Sequence, residues 1–230
     1  MLKAVGLVGW FMFQAFGVHG PELTPLAGTL LDIVLVGLAF FFLASAPRTN
    51  RMTVAMLATM VVTMTALRVV MQPLPNVQPV TVAALLVGAH LGAKRGVAFA
   101  LLVTLLSNML IGHGWWTVFQ AAGWAAVAVI GSKATLVRDG VLQLSRLAGF
   151  AVVSAFLFGF VSTLSLFTST TTFADVVVLL GQGLPFDVIH ALGNLAFVVW
   201  MAPSLHRFLS GLETSQNDSL AVGEVHGIDA

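Results

Sequence analysis

The feature that most constrains this chain is a series of long apolar runs with almost no charge inside them. Eight such runs lie in the 230-residue sequence, at residues 2–18, 26–46, 52–71, 80–91, 96–111, 117–132, 147–167 and 186–205. Lipid cannot satisfy backbone polar groups, so a spanning segment must be a helix or part of a closed barrel. These runs lack the alternation of barrel strands. We therefore predict an all-α fold, a polytopic membrane helix bundle.

The composition agrees with burial of nearly the whole chain in lipid. Only 8% of residues are charged and 58% are hydrophobic, whereas soluble domains carry about a quarter charged residues. The absence of cysteine excludes disulfides and thiol catalysis. The net charge of +1 argues against nucleic acid as a partner. A further apolar run, residues 174–180, is too short to cross a membrane.

The basic residues predict the orientation of the spans. If Lys3 is cytoplasmic and the chain alternates, nine of the ten Lys and Arg residues fall on the cytoplasmic side and only Arg68 does not; such a bias is the usual one. We therefore expect a multi-pass protein of the plasma membrane with both termini in the cytoplasm. A cleaved signal peptide is the alternative for residues 2–18, although no A-x-A-like cleavage site follows them.

This topology places the unexplained polar residues at the outer face. Arg68 lies near the outer end of its segment, where a charge in the membrane costs a few kcal/mol or more. It either extends to the headgroups or points inward and pairs with Asp187, which sits at a matching depth. Ser107 and Asn108 end the fifth segment at about the same level.

Two sets of residues share a helical face at this level. Asp187, His190 and Asn194 follow the i, i+3, i+7 spacing of one face. Asp187 comes soon after Pro185 and is explained equally well as a helix cap, and His190 and Asn194 as interhelical hydrogen-bonding groups. On the sixth segment, Trp116, Gln120 and Trp124 share a face, which predicts an aromatic wall for a planar ligand.

Small residues predict two packing surfaces. Gly88, Gly92 and Gly96 are spaced by four and favour a tight hairpin between the fourth and fifth segments. Ala55, Thr59 and Thr63, also spaced by four, give the third segment a smooth stripe on which another helix could pack.

Several motifs follow one another between residues 52 and 209. In chain order they are PNVQPVT (75–81), the three hairpin glycines, SN (107–108), GHGWWT (112–117), Gln120, Trp124 and GLPFDVIHALGN (183–194). Together they resemble the substrate-binding S components of energy-coupling-factor (ECF-type) vitamin transporters, in the branch linked to cobalamin uptake.

The resemblance implies a six-helix core at residues 47–209. Residues 1–46 would add two N-terminal transmembrane helices, and residues 210–230 would form a flexible cytoplasmic tail. The expected substrate is vitamin-like and bound from the outer face, with a corrinoid first and a queuosine precursor or another vitamin second. The predicted substrate-binding residues are Arg68, Asn76, Gln78, Asn108, Trp116, Gln120, Trp124, Asp187, His190 and Asn194.

The resemblance also implies partners. They are a transmembrane coupling subunit, which would dock on Ala55, Thr59 and Thr63, and two cytoplasmic ABC ATPases. In this family the docking face is alanine-rich, and threonine replaces two of the expected alanines here. The sequence contains no nucleotide-binding motif of its own, and we expect neither a cofactor nor enzymatic activity.

Two alternatives from other classes remain open. One is an intramembrane enzyme that uses Asp187 and His190 as an acid–base pair, since residues at i and i+3 are neighbours on a helix. The other is a structural membrane subunit that binds no ligand.

Overall fold

The computed structural model describes residues 13–17, 20–47 and 50–211, and shows an all-α helix bundle. The helices are α1 (Pro25–Ala44), α2 (Arg51–Val70), α3 (Val80–Ile111), α4 (Trp116–Lys133), α5 (Leu144–Thr163) and α6 (Phe173–Trp200). A 3-10 turn at Leu164–Leu166 extends α5, and residues 202–211 are again helical. Two antiparallel pairs are formed by β1 (Phe13–Gly17) with β2 (Gly20–Leu23), and by β3 (Val137–Arg138) with β4 (Val141–Leu142).

Five of these helices are long and apolar enough to cross a membrane: α1, α2, α3, α5 with its 3-10 turn, and α6. The chain is therefore a membrane protein, as predicted. α3 lies at the centre of the bundle, where it packs against α1, α2 and α4, while α5 packs against α6.

Local capping explains where three helices begin. Thr24, followed by Pro25 in the first turn, accepts a hydrogen bond from a backbone N–H of α1, and Asn50 does the same for α2. Thr172 and Asp175 form a reciprocal capping box at the start of α6. These side chains satisfy N–H groups that have no partner within the helix.

α3 is a hairpin of two arms, residues 80–91 and 93–111, joined at Gly92. Gly92 has φ +82°, outside the helical region and favourable for glycine. In a straight helix, residues eight apart would be about 12 Å from each other. A Cβ built on Gly96 would instead lie 3.1 Å from the Cα of Gly88. The predicted glycine hairpin is confirmed, and the fourth and fifth predicted segments are its two arms.

The first arm of α3 packs directly on the backbone of α4. A Cβ built on Gly88 would collide with the Ala128 carbonyl, and one built on Gly131 would collide with the Leu85 carbonyl. Both glycines are therefore needed for the two helices to approach so closely. This contact fixes the height of the first arm against α4.

The boundary predicted at Pro185 is wrong. Between the predicted segments 147–167 and 186–205, the chain forms a loop only up to Thr172, and α6 runs without interruption from Phe173 through Pro185 to Trp200. The run at 174–180, predicted to be too short to cross, is the first part of this helix. Proline removes one backbone hydrogen bond, but breaking a helix in lipid would leave many more groups unpaired. Asp187 therefore lies inside the helix and does not cap it.

The ends of the chain are only partly described. Most of the predicted first segment, residues 2–18, lies outside the described residues, but Phe13–Gly17 is a strand, so the prediction of a helix is wrong there. Strand formation fits the aromatic residues of this stretch. The predicted tail, residues 210–230, also lies outside the described residues except for 210 and 211, which are helical.

We predict that Gly88→Ala lowers the free energy of unfolding by about 1–3 kcal/mol, the usual range for overpacking, because the new methyl group meets the Ala128 backbone. Gly37→Ala is the matched control, since Gly37 is exposed within α1 and has nothing near its Cβ position. Thermal unfolding in detergent measures both. Equal midpoints for the two variants would contradict the close contact.

Candidate functional site

Arg68, near the end of α2, lies inside the bundle with 2% of its surface exposed. Its Nε donates to Gln78 Oε1 at 3.0 Å, and its two terminal nitrogens donate to Asn108 Oδ1 at 2.6 Å and to Gln120 Oε1 at 3.2 Å. Ser107 Oγ accepts a further bond from the guanidinium. The inward orientation is confirmed, and extension to the headgroups is wrong.

The short α3–α4 connection brings these partners together. Asn108 is in the last turn of α3, and its Nδ2 donates to Thr117 Oγ1 at 2.9 Å and to Gln120 Oε1 at 2.8 Å, both in α4. Gly112 has φ +141°, which lets the chain reverse direction between the two helices. Three predicted site residues, Gln78, Asn108 and Gln120, thus converge on Arg68. We call Arg68, Gln78, Ser107, Asn108 and Gln120 the Arg68 cluster.

A second set of contacts links the Arg68 cluster to α6. The Arg68 guanidinium carbon lies 4.9 Å from the centre of the Trp124 ring, a cation–π distance. The Trp124 indole N–H donates to Thr81 Oγ1 at 3.1 Å, and Thr81 Oγ1 lies 2.8 Å from His190 Nε2. Arg68 is therefore linked to Trp124 directly, and Trp124 is linked to His190 through Thr81. These three predicted site residues lie in three different segments.

The aromatic wall predicted for a planar ligand is not formed. Trp124 is fully buried, and its ring stacks on Phe158 of α5 at a centroid distance of 4.3 Å. Phe158 also packs edge-on against His190 at 5.4 Å. Trp116 lies over the backbone of Gly114 and is only half-buried. The two tryptophans therefore contribute to different environments, and Trp124 stabilises the bundle from within.

Asp187 does not pair with Arg68, so that prediction is wrong. The Asp187 carboxylate packs on Gly159 of α5, at the position that a side chain of residue 159 would occupy. The predicted topology puts these two residues at a similar depth, but their directions around the helix axes differ. No described contact joins Asp187 to His190 either, and among the described residues no group of three or more His, Cys, Asp or Glu side chains could hold a metal.

The face formed by Asp187, His190 and Asn194 is confirmed, and it turns toward α5. Asn194 Nδ2 donates to the Ala151 carbonyl at 3.0 Å, the interhelical bond that was one of the two expectations. Three buried polar atoms near this interface have no hydrogen-bond partner: Asn194 Oδ1, His190 Nδ1 and Ser154 Oγ. Unpaired buried groups are costly, so this face has unused capacity for a polar ligand or for water.

The remaining predicted site residues lie apart from the Arg68 cluster. Asn76 is half-buried and has φ +56°, a left-handed conformation that asparagine tolerates. It shapes the loop that delivers Gln78. Ala55, Thr59 and Thr63 are exposed along α2. A cleft of about 610 Å³ lies beside the β3–β4 hairpin, lined by residues 141–146 and Phe150, and contains no predicted site residue.

Sequence reasoning missed one contact at the edge of the site. His113 Nε2 lies 3.1 Å from Asp32 Oδ1 of α1, close enough for an ion pair but not aligned as a hydrogen bond. His113 Nδ1 lies 3.2 Å from Thr117 Oγ1, which also accepts from Asn108. The signal available was that Asp32 and His113 are both polar residues that the predicted topology puts at the outer level. Phe158 gave no signal, since it lies within an apolar run.

We predict that Thr81→Val destabilises the bundle. Valine has nearly the same shape but removes the oxygen that Trp124 and His190 contact, and each unsatisfied buried group costs about 1–3 kcal/mol. Thr63→Val, on the exposed side of α2, is the control. Thermal unfolding in detergent should show a lower midpoint for Thr81→Val alone, and equal midpoints would remove Thr81 from the network.

Comparison with known proteins gives a family but no characterised relative. No curated protein and no solved structure matches the chain. One family model matches residues 48–210 and is described as a family of unknown function (DUF6580). The match includes the Arg68 cluster and leaves out α1. Because it covers well over half of the sequence, the chain belongs to the DUF6580 family.

Proposed function

We propose that this protein is the substrate-capture subunit of an ECF-type importer in the plasma membrane. It binds a vitamin-like small molecule from the outer face, and both of its termini are cytoplasmic. A corrinoid is the first candidate substrate, and a queuosine precursor or another vitamin is the second; this ranking rests on the sequence resemblance. The protein is not an enzyme, and energy for transport comes from its partners.

The observation that carries this proposal is the Arg68 cluster. A purely structural membrane bundle has little use for a buried charge surrounded by three carboxamides, because buried polar groups in lipid are expensive and usually functional. Gln78, Asn108 and Gln120 come from the segments that carry the family-like motifs. A carboxamide can present either its oxygen or its NH₂ group, so the cluster can exchange its internal bonds for bonds to a substrate.

The face between α5 and α6 supports a second polar contact with the substrate. His190 Nδ1 and Asn194 Oδ1 are buried without partners, and His190 is connected to the Arg68 cluster through Thr81. A substrate with polar groups at two positions would satisfy both regions, and water would fill the second in the empty protein.

The coupling subunit docks on α2. Ala55, Thr59 and Thr63 are exposed on this helix, and the Thr59 hydroxyl donates to the Ala55 carbonyl at 3.0 Å. The hydroxyl thus bonds to its own helix and does not project as a free polar group. This makes the stripe suitable for docking on a transmembrane coupling subunit, despite the threonines, with two ABC ATPases on the cytoplasmic side.

We predict that Gln78→Ala and Gln120→Ala each weaken substrate binding tenfold or more, which corresponds to about 1.4 kcal/mol, because each removes a polar group of the Arg68 cluster. Gln143→Ala, at a half-buried glutamine just before α5 and outside the Arg68 cluster, is the matched control. Native mass spectrometry of protein purified gently from its own host should show a bound small molecule in the wild type and the control, and much less of it in the two variants.

The same measurement can refute the proposal. A wild-type protein that never carries a small molecule, even from cells supplied with vitamins, would contradict the capture role. A ligand retained equally by all variants would place the site elsewhere. Co-expression with an ATPase module that gives no uptake, although the ligand binds, would contradict the importer role alone.

A further inference from the structure

We infer that the substrate carries one singly charged oxyanion, most simply a carboxylate, and that Arg68 is the residue that binds it. The inference rests on the proposed capture function and deepens it by naming the chemical class of the ligand. It follows from the charge of the Arg68 cluster, from the chemistry of its members and from the fate of the acidic residues around it.

The positive charge of Arg68 is not compensated by any acidic side chain that the structure describes. Its hydrogen-bond partners are two glutamines, an asparagine and a serine, all neutral. The described acids within the helices lie elsewhere. Asp32 lies beside His113, Asp175 belongs to the capping box of α6, and Asp187 packs on Gly159. A buried ion without a counter-charge is strongly unfavourable. A ligand that supplies the counter-charge removes much of this unfavourable free energy, and its binding is stabilised by the same amount.

The carboxamides are suited to admit such a ligand. In the structure, Gln78, Asn108 and Gln120 direct oxygens at the guanidinium. When an anion approaches Arg68, the same groups can rotate and direct N–H bonds at the anion. A carboxylate side chain in their place could only accept hydrogen bonds and would repel the ligand. The absence of acidic residues from the cluster is therefore what an anion site needs.

The number of charges limits the ligand further. Arg68 is the one basic residue of the Arg68 cluster, since Lys94 and Arg95 lie just after the Gly92 turn of α3 and Lys133 lies in the last turn of α4. One guanidinium balances one negative charge. A carboxylate or a phosphodiester would leave the site neutral, whereas a doubly charged phosphate monoester would leave a buried excess charge. A planar carboxylate also matches the paired donors of a guanidinium.

Gln120→Glu tests this inference without removing Arg68, whose loss could unfold the protein. The two bonds that Gln120 Oε1 accepts, from Arg68 at 3.2 Å and from Asn108 at 2.8 Å, are retained by a glutamate. The variant therefore places a built-in carboxylate beside the guanidinium. We expect the ligand-free variant to unfold several degrees above the wild type. Gln72→Glu, which adds the same charge at an exposed loop position, should leave the midpoint unchanged.

The second arm of the experiment uses benzoate and its neutral analogue benzamide as probes. Benzoate should raise the unfolding temperature of the wild type and of Gln72→Glu, while benzamide should not. Gln120→Glu should lose the response to benzoate, because its own carboxylate occupies the site. Measurements in lipid nanodiscs with and without phosphatidylcholine distinguish a soluble anion from the phosphodiester of a lipid headgroup.

Three results would overturn the inference. The first is a Gln120→Glu variant that is no more stable than the wild type. The second is a response to benzoate that benzamide or Gln120→Glu reproduces. The third is stabilisation by phosphatidylcholine alone, which would assign the Arg68 cluster to lipid. A neutral molecule found in the wild type by native mass spectrometry would refute the oxyanion while leaving the capture function intact, so the two failures can be told apart.

Discussion

The arrangement of the bundle depends on the burial of one guanidinium. Moving an ion such as that of Arg68 out of water costs several kcal/mol even after relaxation, and lipid offers nothing in return. The cost is reduced by oxygens from the loop before α3, from the end of α3 and from α4, and by the ring of Trp124. All of these partners are needed to reduce the cost of burying the guanidinium, so the cluster holds the three segments together. The net charge of the cluster nevertheless remains positive.

A second constraint, the contact between helix backbones, determines how far this network extends. Gly88 and Gly131 let the first arm of α3 lie directly against α4. At that separation Thr81 reaches Trp124, and through Thr81 the contact continues to His190 on α6. Trp124 thus contacts both the buried guanidinium of Arg68 and Thr81 on the first arm of α3. Its full burial follows from this double role, which explains why it does not offer a surface to a planar ligand.

The sequence predicted what depends on position along a helix, and it failed on what depends on the direction of a side chain around the helix axis. Apolar length predicted α1, α2, the two arms of α3, and α5, and the outer level predicted for Gln78, Asn108 and Gln120 was sufficient to place them together. The proposed pair of Arg68 with Asp187 failed because equal depth does not fix the direction of a side chain around its helix. The start of α6 was misplaced because proline was treated as a boundary, although lipid favours an unbroken helix.

Helix α1 contacts the site without neutralising the charge of Arg68. This helix lies outside the family match at 48–210, yet its Asp32 approaches His113, which contacts Thr117 and through it Asn108. A carboxylate is therefore linked to the Arg68 cluster through a histidine and a threonine, and it makes no described contact with the guanidinium. Had Asp32 reached Arg68 directly, the cluster would be a closed ion pair with no need of a ligand. Because it lies beside His113 instead, the charge of Arg68 stays available to the proposed substrate.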